Sequence, residues 1–310
     1  MSTAYVDAYL EFLTDVRDVS PKTAEAYAGD AVQFMDFLAA TWGEDRAADF
    51  GAVTYGVVRR YVAHLHQAKY GRRSVARKLS SLRSFFDFLV TRELVKHNPA
   101  ALVRAPKLEK SLPEFLYNKE MELLLAEPDV GEPLGLRDRA MLEFLYATGC
   151  RRAELVGLDV EALDLPGMTA RVIGKRNKER VVCFGEPCRE VLDAYLGGAR
   201  EALLGNAQKP FAEHAVFLSR LGRRISAGQV NKIVEKYVLQ VGASHRITPH
   251  KLRHTFATHL LDAGADLRTI QELLGHASLT STEIYTHVSA AGLARVYHGA
   301  HPLGARKDLE

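Results

Sequence analysis

The sequence predicts a mainly α protein of two domains: a helical N-terminal one, then a larger α+β one carrying a small β-hairpin. Three observations lead there. Apolar residues recur at helical spacing through most of residues 1–104. A Pro- and Lys-containing stretch without periodicity, VRAPKLEKSLPE at 103–114, then breaks the pattern. Beyond it only Thr169–Ile173 and Glu179–Phe184 have the character of strands, and they are set among further helices.

The N-terminal elements follow in order. Tyr5 to Leu13 has helical apolar spacing. Ser20-Pro21 is a strong helix start, and the helix continues through Tyr27, Val32, Phe34, Phe37 and Leu38. Val57 to Ala68 forms a third helix. Ser74 is placed to cap a fourth, Val75 to Thr91, whose core face is Leu79, Leu82, Phe85, Phe86 and Leu89. Arg73, Arg77 and Lys78 lie at its start, read as lying away from that core stripe. A basic helix start suits a phosphate or a major groove. Asn98-Pro99 closes the helical run. The domains are therefore expected at 1–104 and 115–310, with 105–114 as an extended linker that lets two basic domains close around a duplex.

In the second domain, Lys119 to Ala126 and Arg137 to Ala147 read as helices, the latter ended by Gly149. The two strands are joined by Gly174-Lys175-Arg176-Asn177-Lys178, with Lys175 at the tip. Helices around Cys188 to Leu204 and Ala227 to Val241 follow, separated by a Gly/Arg turn at Leu221-Gly222-Arg223-Arg224.

The run TPHKLRHTFATHLLDAGADLRTIQELLGHASLTSTEIYTH from Thr248 reads as three short helices. Thr248 caps the first and Pro249 fits its first position. Asp266 caps the second, Gly275 closes it in a left-handed turn, and Ser278 or Thr280 opens the third. His250 and Arg253 are three apart and share a face. His276 sits just past the second helix and Tyr285 within the third. Two imidazoles, a guanidinium and a phenol can thus converge, the cations on a phosphate and the phenol as nucleophile. Taken singly each residue has a blander reading: Tyr285 a core tyrosine, Lys175 a solvated turn lysine, Arg151 beside Glu154 a structural ion pair. The joint pattern turns the reading toward phosphoryl transfer. His250, His254 and His259 do not make a zinc set, because the Glu of a His-Glu-x-x-His site is missing and His259 falls off the shared face.

Composition narrows the classes. The 310 residues, 47% of them hydrophobic, suffice for two cores, and no run approaches the roughly 20 apolar residues of a membrane span. No secretory signal pattern is present, and Cys150, Cys183 and Cys188 form neither a disulfide nor a zinc pattern, which fits a reducing cytosol. The net charge is only +3, but it is unevenly spread. No acid lies between Phe50 and Phe86, while Arg59, Arg60, Lys69, Arg72, Arg73, Arg77, Lys78 and Arg83 do. Basic clusters recur at 171–180 and 220–253. Separated basic stripes let a near-neutral protein bind a polyanion on one side. No carboxylate cluster for metals and no phosphate-cradling Gly-rich loop is evident.

His-x-x-Arg, then Leu-Gly-His, then Tyr, in HKLRHTFATHLL…IQELLGHASLTSTEIYTHV, resembles the tyrosine recombinases. The resemblance implies a four-helix, SAM-like DNA-binding domain before the catalytic one. It makes Tyr285 the nucleophile of a 3′-phosphotyrosine bond. Arg151 and Arg253 would hold the scissile phosphate, with His276 hydrogen-bonded to it and His250 as acid/base. Lys175 would protonate the leaving 5′-oxygen, with Lys178 as the alternative. Glu154 would buttress Arg151. Arg72, Arg73, Arg77, Lys78, Arg176 and Lys178 would contact DNA. The segment Thr148-Gly149-Cys150-Arg151-Arg152-Ala153-Glu154-Leu155 departs from the family's pattern at Ala153, where Ser is usual, and adds a second guanidinium at Arg152. No metal or other cofactor is implied.

The compact layout and the tail Tyr297…His301-Pro302 are most similar to the Xer branch of that family. That branch implies chromosome dimer resolution at a two-fold-related core site on double-stranded DNA. A tetramer would form with copies of itself or a paralogous recombinase, regulated by a septal DNA translocase, in the cytoplasm at the nucleoid. The alternatives are a mobile-element integrase, a type IB topoisomerase-like activity, and a catalytically silent DNA-binding protein.

Overall fold

The computed structural model describes residues 2–17, 19–107, 115–174, 177–206, 214–243, 247–275 and 302. The chain divides into two compact units, Met1–Lys110 and Ser111–Glu310. Among the described residues it is mainly helical, with one small antiparallel sheet.

The first unit consists of α1 (Ser2–Glu11), α2 (Pro21–Trp42), α3 (Tyr55–Gln67) and α4 (Arg72–Thr91). Its core is aromatic. Phe34 meets Tyr61 edge-on at 5.0 Å, and Tyr9 meets Phe85 at 5.1 Å, geometries that place a positive ring edge on a negative face. Leu79, Leu82, Phe85, Phe86 and Leu89 are all buried. Ser74 is not the cap of α4. The helix begins at Arg72, because the Gly71 carbonyl already accepts from Val75 N–H at 3.1 Å, and Ser74 falls inside the first turn. Past α4, Arg83 donates to the Ala100 carbonyl at 3.1 Å and also to that of Val103, fastening the exit of the helix.

Lys78 does not lie away from the core. It is 8% exposed, and its ammonium donates to Asp30 at 2.8 Å and to Gln33. The reason is helical phase: Lys78 is one turn before Leu82 and two before Phe85, on the row that faces α2. Arg77 shares the same buried carboxylate, with Nη2 at 2.9 Å from Oδ1, but remains about half exposed. One acid on α2 thus holds two cations of α4.

The second unit is built on α6 (Pro133–Thr148), which is buried on nearly every side and follows α5 (Asn118–Ala126). After the short α7 (Arg152–Val156) come β1 (Leu163–Asp164), β2 (Thr169–Ile173) and β3 (Glu179–Cys183), paired in that order. The expected hairpin is β2–β3, in register from Thr169↔Cys183 to Ile173↔Glu179. The two-residue β1 was not expected, being too short to carry a period of its own. Then follow α8 (Glu186–Ala194), α9 (Arg200–Leu204), α10 (Ala227–Gln240), α11 (Pro249–Asp262) and α12 (Leu267–Leu274). A π-helical turn at Tyr195–Ala199 separates α8 from α9, and there Tyr195 stacks on Phe217 and donates to the Val216 carbonyl at 3.1 Å.

The expected punctuation of α11 and α12 holds. Thr248 accepts from Lys251 N–H, Asp266 accepts from Thr269 N–H at 2.9 Å, and Gly275 is left-handed at φ 66°. The third helix, expected from Ser278 or Thr280, lies outside the described residues.

Asp30 generates a prediction. Replacing it with Ala leaves the Lys78 ammonium buried without its counter-ion, a change that costs about 3–5 kcal/mol for such pairs. Urea unfolding of Asp30→Ala is expected to show that loss. Arg77→Ala, which releases a half-exposed cation, is expected to lose about 1 kcal/mol or less.

Candidate active site

The site begins where α6 ends. Gly149 adopts φ +56°, and a Cβ there would come within 2.4 Å of the Phe256 ring edge, so both the turn and the close approach require glycine. The turn delivers Arg151 to the start of α7. Its N–H donates to Glu154 Oε2 at 2.7 Å, and its Nη1 to Oε1 at 2.8 Å. The Glu154 side chain is 1% exposed, that of Arg151 42%. Arg151, rather than Arg152, is therefore the guanidinium that Glu154 holds.

A second guanidinium reaches the same carboxylate. Arg180 Nη2 donates to Glu154 Oε2 at 2.7 Å, and Nη1 to the Leu273 carbonyl at 2.7 Å. Arg180 stands opposite Val172 in the β2–β3 register, so the alternation of the strand turns it inward. It was not singled out from the sequence, although the run Gly-Lys-x-x-Lys-Glu-Arg contains it. The readable signal was an arginine at an inward position of a strand.

Arg253 is the third. From the buried side of α11 its Nη1 donates to the Gly149 carbonyl at 2.7 Å and its Nη2 to that of Leu274 at 2.6 Å. Burial first, then the neighbouring Arg151 and Arg180, pulls its pKa down to about 10, which leaves it charged at neutral pH. Glu154 shows the converse. Burial pushes its carboxyl up, but the charge of Arg180 and the hydrogen bonds from Arg151 and Arg180 outweigh that and hold it below the ordinary value. Three guanidiniums against one carboxylate leave the cluster net positive.

The three also share the end of α12. Arg180 takes the Leu273 carbonyl, Arg253 that of Leu274, and Arg151 Nη2 that of Gly275 at 3.4 Å. Cations at a helix C-terminus are favourable, since that end carries the negative pole of the dipole. His250 is exposed on the first turn of α11, one turn before Arg253. Lys178 is exposed, and its carbonyl closes the hairpin by accepting from Gly174 N–H at 2.8 Å. Lys175, Arg176, His276 and Tyr285 lie outside the described residues.

His259 has a structural role. Its Nδ1 is 2.7 Å from the Tyr146 hydroxyl and its Nε2 2.8 Å from the Leu116 carbonyl. Nε2 must therefore carry the proton, leaving Nδ1 to accept from the phenol. Both ring nitrogens are engaged in the core, away from exposed His250 and His254. Thr255 accepts from the Leu116 N–H at 3.1 Å, so α11 holds Leu116 by both backbone groups.

Residues 114–291, which span this cluster, match the phage integrase family, and residues 6–93 match its N-terminal SAM-like domain. The chain belongs to the phage integrase family. It is 44% identical to tyrosine recombinase XerC of Pelotomaculum thermopropionicum over 96% of this chain and 98% of that one. It is 38% identical to tyrosine recombinase XerC of Bacillus subtilis over 98% of both. Among solved structures the fold is similar to that of XerH site-specific recombinase bound to palindromic difH substrate (TM-score 0.67, 20% identity, 94% of this chain and 83% of that one). It is also similar to a lambda integrase dimer bound to a COC′ core site (TM-score 0.65, 18% identity, 91% and 98%). The SAM-like assignment gives the four N-terminal helices their expected fold class, and the integrase match covers the helices and hairpin that assemble the arginines.

Glu154 makes the stability of this integrase-family chain pH-dependent. A carboxyl held below its ordinary 4.5 binds fewer protons folded than unfolded. Its stabilisation is full above 4.5 and is lost as pH falls through the lowered value. Thermal unfolding of Glu154→Gln is expected to lie below wild type at neutral pH, with the gap narrowing as pH drops under 4.5.

Proposed function

We propose that this chain cuts and rejoins DNA at specific sites through a 3′-phosphotyrosine intermediate, with Tyr285 as the nucleophile. The observation that carries the reading is the cluster itself: Arg151 and Arg180 bonded to one buried carboxylate with Arg253 beside them, net positive, within the segment that matches the phage integrase family. Attack of a phenol on a phosphodiester builds charge on the non-bridging oxygens, and fixed cationic donors stabilise that charge without reorganising. Arg151 and Arg253 are the phosphate-binding pair. The Tyr285 oxygen bonds to phosphorus as the 5′-oxygen leaves. His250 relays the phenol's proton, Lys175 protonates the departing oxygen, and His276 hydrogen-bonds the phosphate. Surrounding positive charge favours the phenolate, since a free phenol with pKa ~10 is a poor nucleophile. The phosphotyrosyl ester keeps the energy of the original bond, so a 5′-hydroxyl from another strand reverses the step onto new DNA.

Arg72, Arg73 and half-exposed Arg77 on α4, with Arg176 and Lys178 on the hairpin, are the proposed DNA contacts. Lys78, spent on Asp30, acts instead by fixing the helix that carries them. Near-full-length similarity to XerC recombinases supports chromosome dimer resolution at a dif-like, two-fold-related site, by four protomers drawn from this chain alone or with a paralogue. Regulation by a septal translocase and residence at the nucleoid follow from the same reading. No helix among the described residues is long and apolar enough to cross a membrane.

The test is covalent trapping on a nicked duplex that carries a candidate core site. An adduct surviving denaturing electrophoresis is expected from wild type and not from Tyr285→Phe. Arg151→Ala or Arg253→Ala is expected to slow its formation by about 10²–10³-fold. A need for two DNA sites marks recombination, whereas relaxation of a single circle marks a topoisomerase-like activity. Tight binding without any adduct, even with a partner recombinase present, would leave only a DNA-binding role.

A further inference from the structure

We propose that Arg180 is a positioning residue for strand transfer: its fork ties Glu154 to the end of α12 and so sets where the chain departs toward His276. The proposal rests on the phosphate-binding roles given above to Arg151 and Arg253.

Three features set Arg180 apart. Both of its terminal nitrogens are committed within the protein, at 2.7 Å to Glu154 Oε2 and 2.7 Å to the Leu273 carbonyl, and its side chain is 16% exposed against 42% for Arg151. The stem of the same side chain packs on Gly275, where an added Cβ would sit 2.8 Å from Cδ and 3.0 Å from Nε. Gly275 also needs its positive φ, so the turn that releases residue 276 is shaped by its own backbone and by Arg180 lying against it. Finally, among the described residues Nε is buried without a hydrogen-bond partner, so the guanidinium is held by its two ends.

The charge balance gives Arg180 a second effect. With Arg151 alone, Glu154 would neutralise the guanidinium that it orients. Arg180 draws on the same carboxylate and adds to the excess of positive charge beside the phosphate pair. Arg151 holds the Gly275 carbonyl at 3.4 Å, longer than the 2.7 Å and 2.6 Å bonds from Arg180 and Arg253 to the preceding two carbonyls. Phosphate arriving at Arg151 therefore competes with the weakest of these bonds. Arg180 keeps the end of α12 in place while Arg151 turns to the substrate. A lysine there would keep the charge, but a single ammonium lacks the planar fork that meets two acceptors on opposite sides.

The experiment compares full-length wild type, Arg180→Met and Arg180→Lys on the nicked duplex, with Tyr285→Phe as control. DNA affinity, the adduct rate at saturating protein, and the unfolding midpoint are all measured. An adduct from wild type that is absent in Tyr285→Phe upholds the strand-transfer reading, whatever Arg180 does. Both Arg180 variants are then expected to bind DNA within about threefold of wild type and to form adduct about 10–100-fold more slowly, as misplacing a reacting group by an ångström does. A rate near wild type in Arg180→Met, recovery in Arg180→Lys, or a loss of affinity matching the loss of rate would overturn the proposal. If Arg180→Met is unfolded at the assay temperature, Gly275→Ala probes the same contact from its other side. It must then slow adduct formation without weakening binding, and a normal rate there overturns the proposal equally.

Discussion

The catalytic unit depends on one buried carboxylate. Three guanidiniums this close would repel one another, and burial would add the cost of stripping their water. Glu154 makes the arrangement tolerable. It accepts from the Arg151 backbone and side chain and from Arg180, and lies close enough to Arg253 to raise that group's pKa against the other influences on it. From this single acid the geometry spreads outward. α7 starts on it, β3 is tethered to it, and through the arginines the end of α12 and the Gly149 turn are drawn to the same place. Helix-end carbonyls and one carboxylate are the partners that hold these three guanidiniums together.

The N-terminal unit uses the same device at lower charge. Asp30, buried on α2, holds Lys78 inside and Arg77 at the surface of α4. Interior acid with half-exposed arginine fixes a cation's direction without taking it out of reach of solvent. A guanidinium so placed loses less freedom when it meets a phosphate than one on an unrestrained side chain. The basic character of this helix is therefore partly structural: of two adjacent cations, one serves the fold and the other remains available.

α11 serves both purposes along its length. Its early turns present His250 outward and Arg253 inward, while its later turns hold Leu116 through Thr255 and His259. The protonation of His259 is tied to that role. Burial lowers its pKa, so at neutral pH it is the uncharged ring that bridges Tyr146 and Leu116. Three histidines on one helix thus have different surroundings, which the sequence spacing hinted at only by placing His259 off the shared face.

Much of this protein was legible without coordinates because its signals are local. Helix starts and stops at Thr248, Pro249, Asp266 and Gly275 depend on backbone groups a few residues away, and so could be read in order along the chain. The mainly helical class and the β2–β3 hairpin were legible for the same reason, through periods of 3.6 and 2. The spacing of His-x-x-Arg, Leu-Gly-His and Tyr marked the family. Long-range pairing was another matter. That Lys78 turns to Asp30 forty-eight positions earlier, that Arg180 meets Glu154 across twenty-six, and that Arg253 reaches back to Gly149 across one hundred and four are facts of packing. A cation in a sequence carries no record of its counter-ion, because the partner is chosen by which helix faces which strand. The sequence by itself determined the elements, the family and the residue types that phosphate chemistry needs. Only the tertiary structure decided which of those cations share a carboxylate, and hence that Arg180 joins the arginine cluster and Lys78 the core.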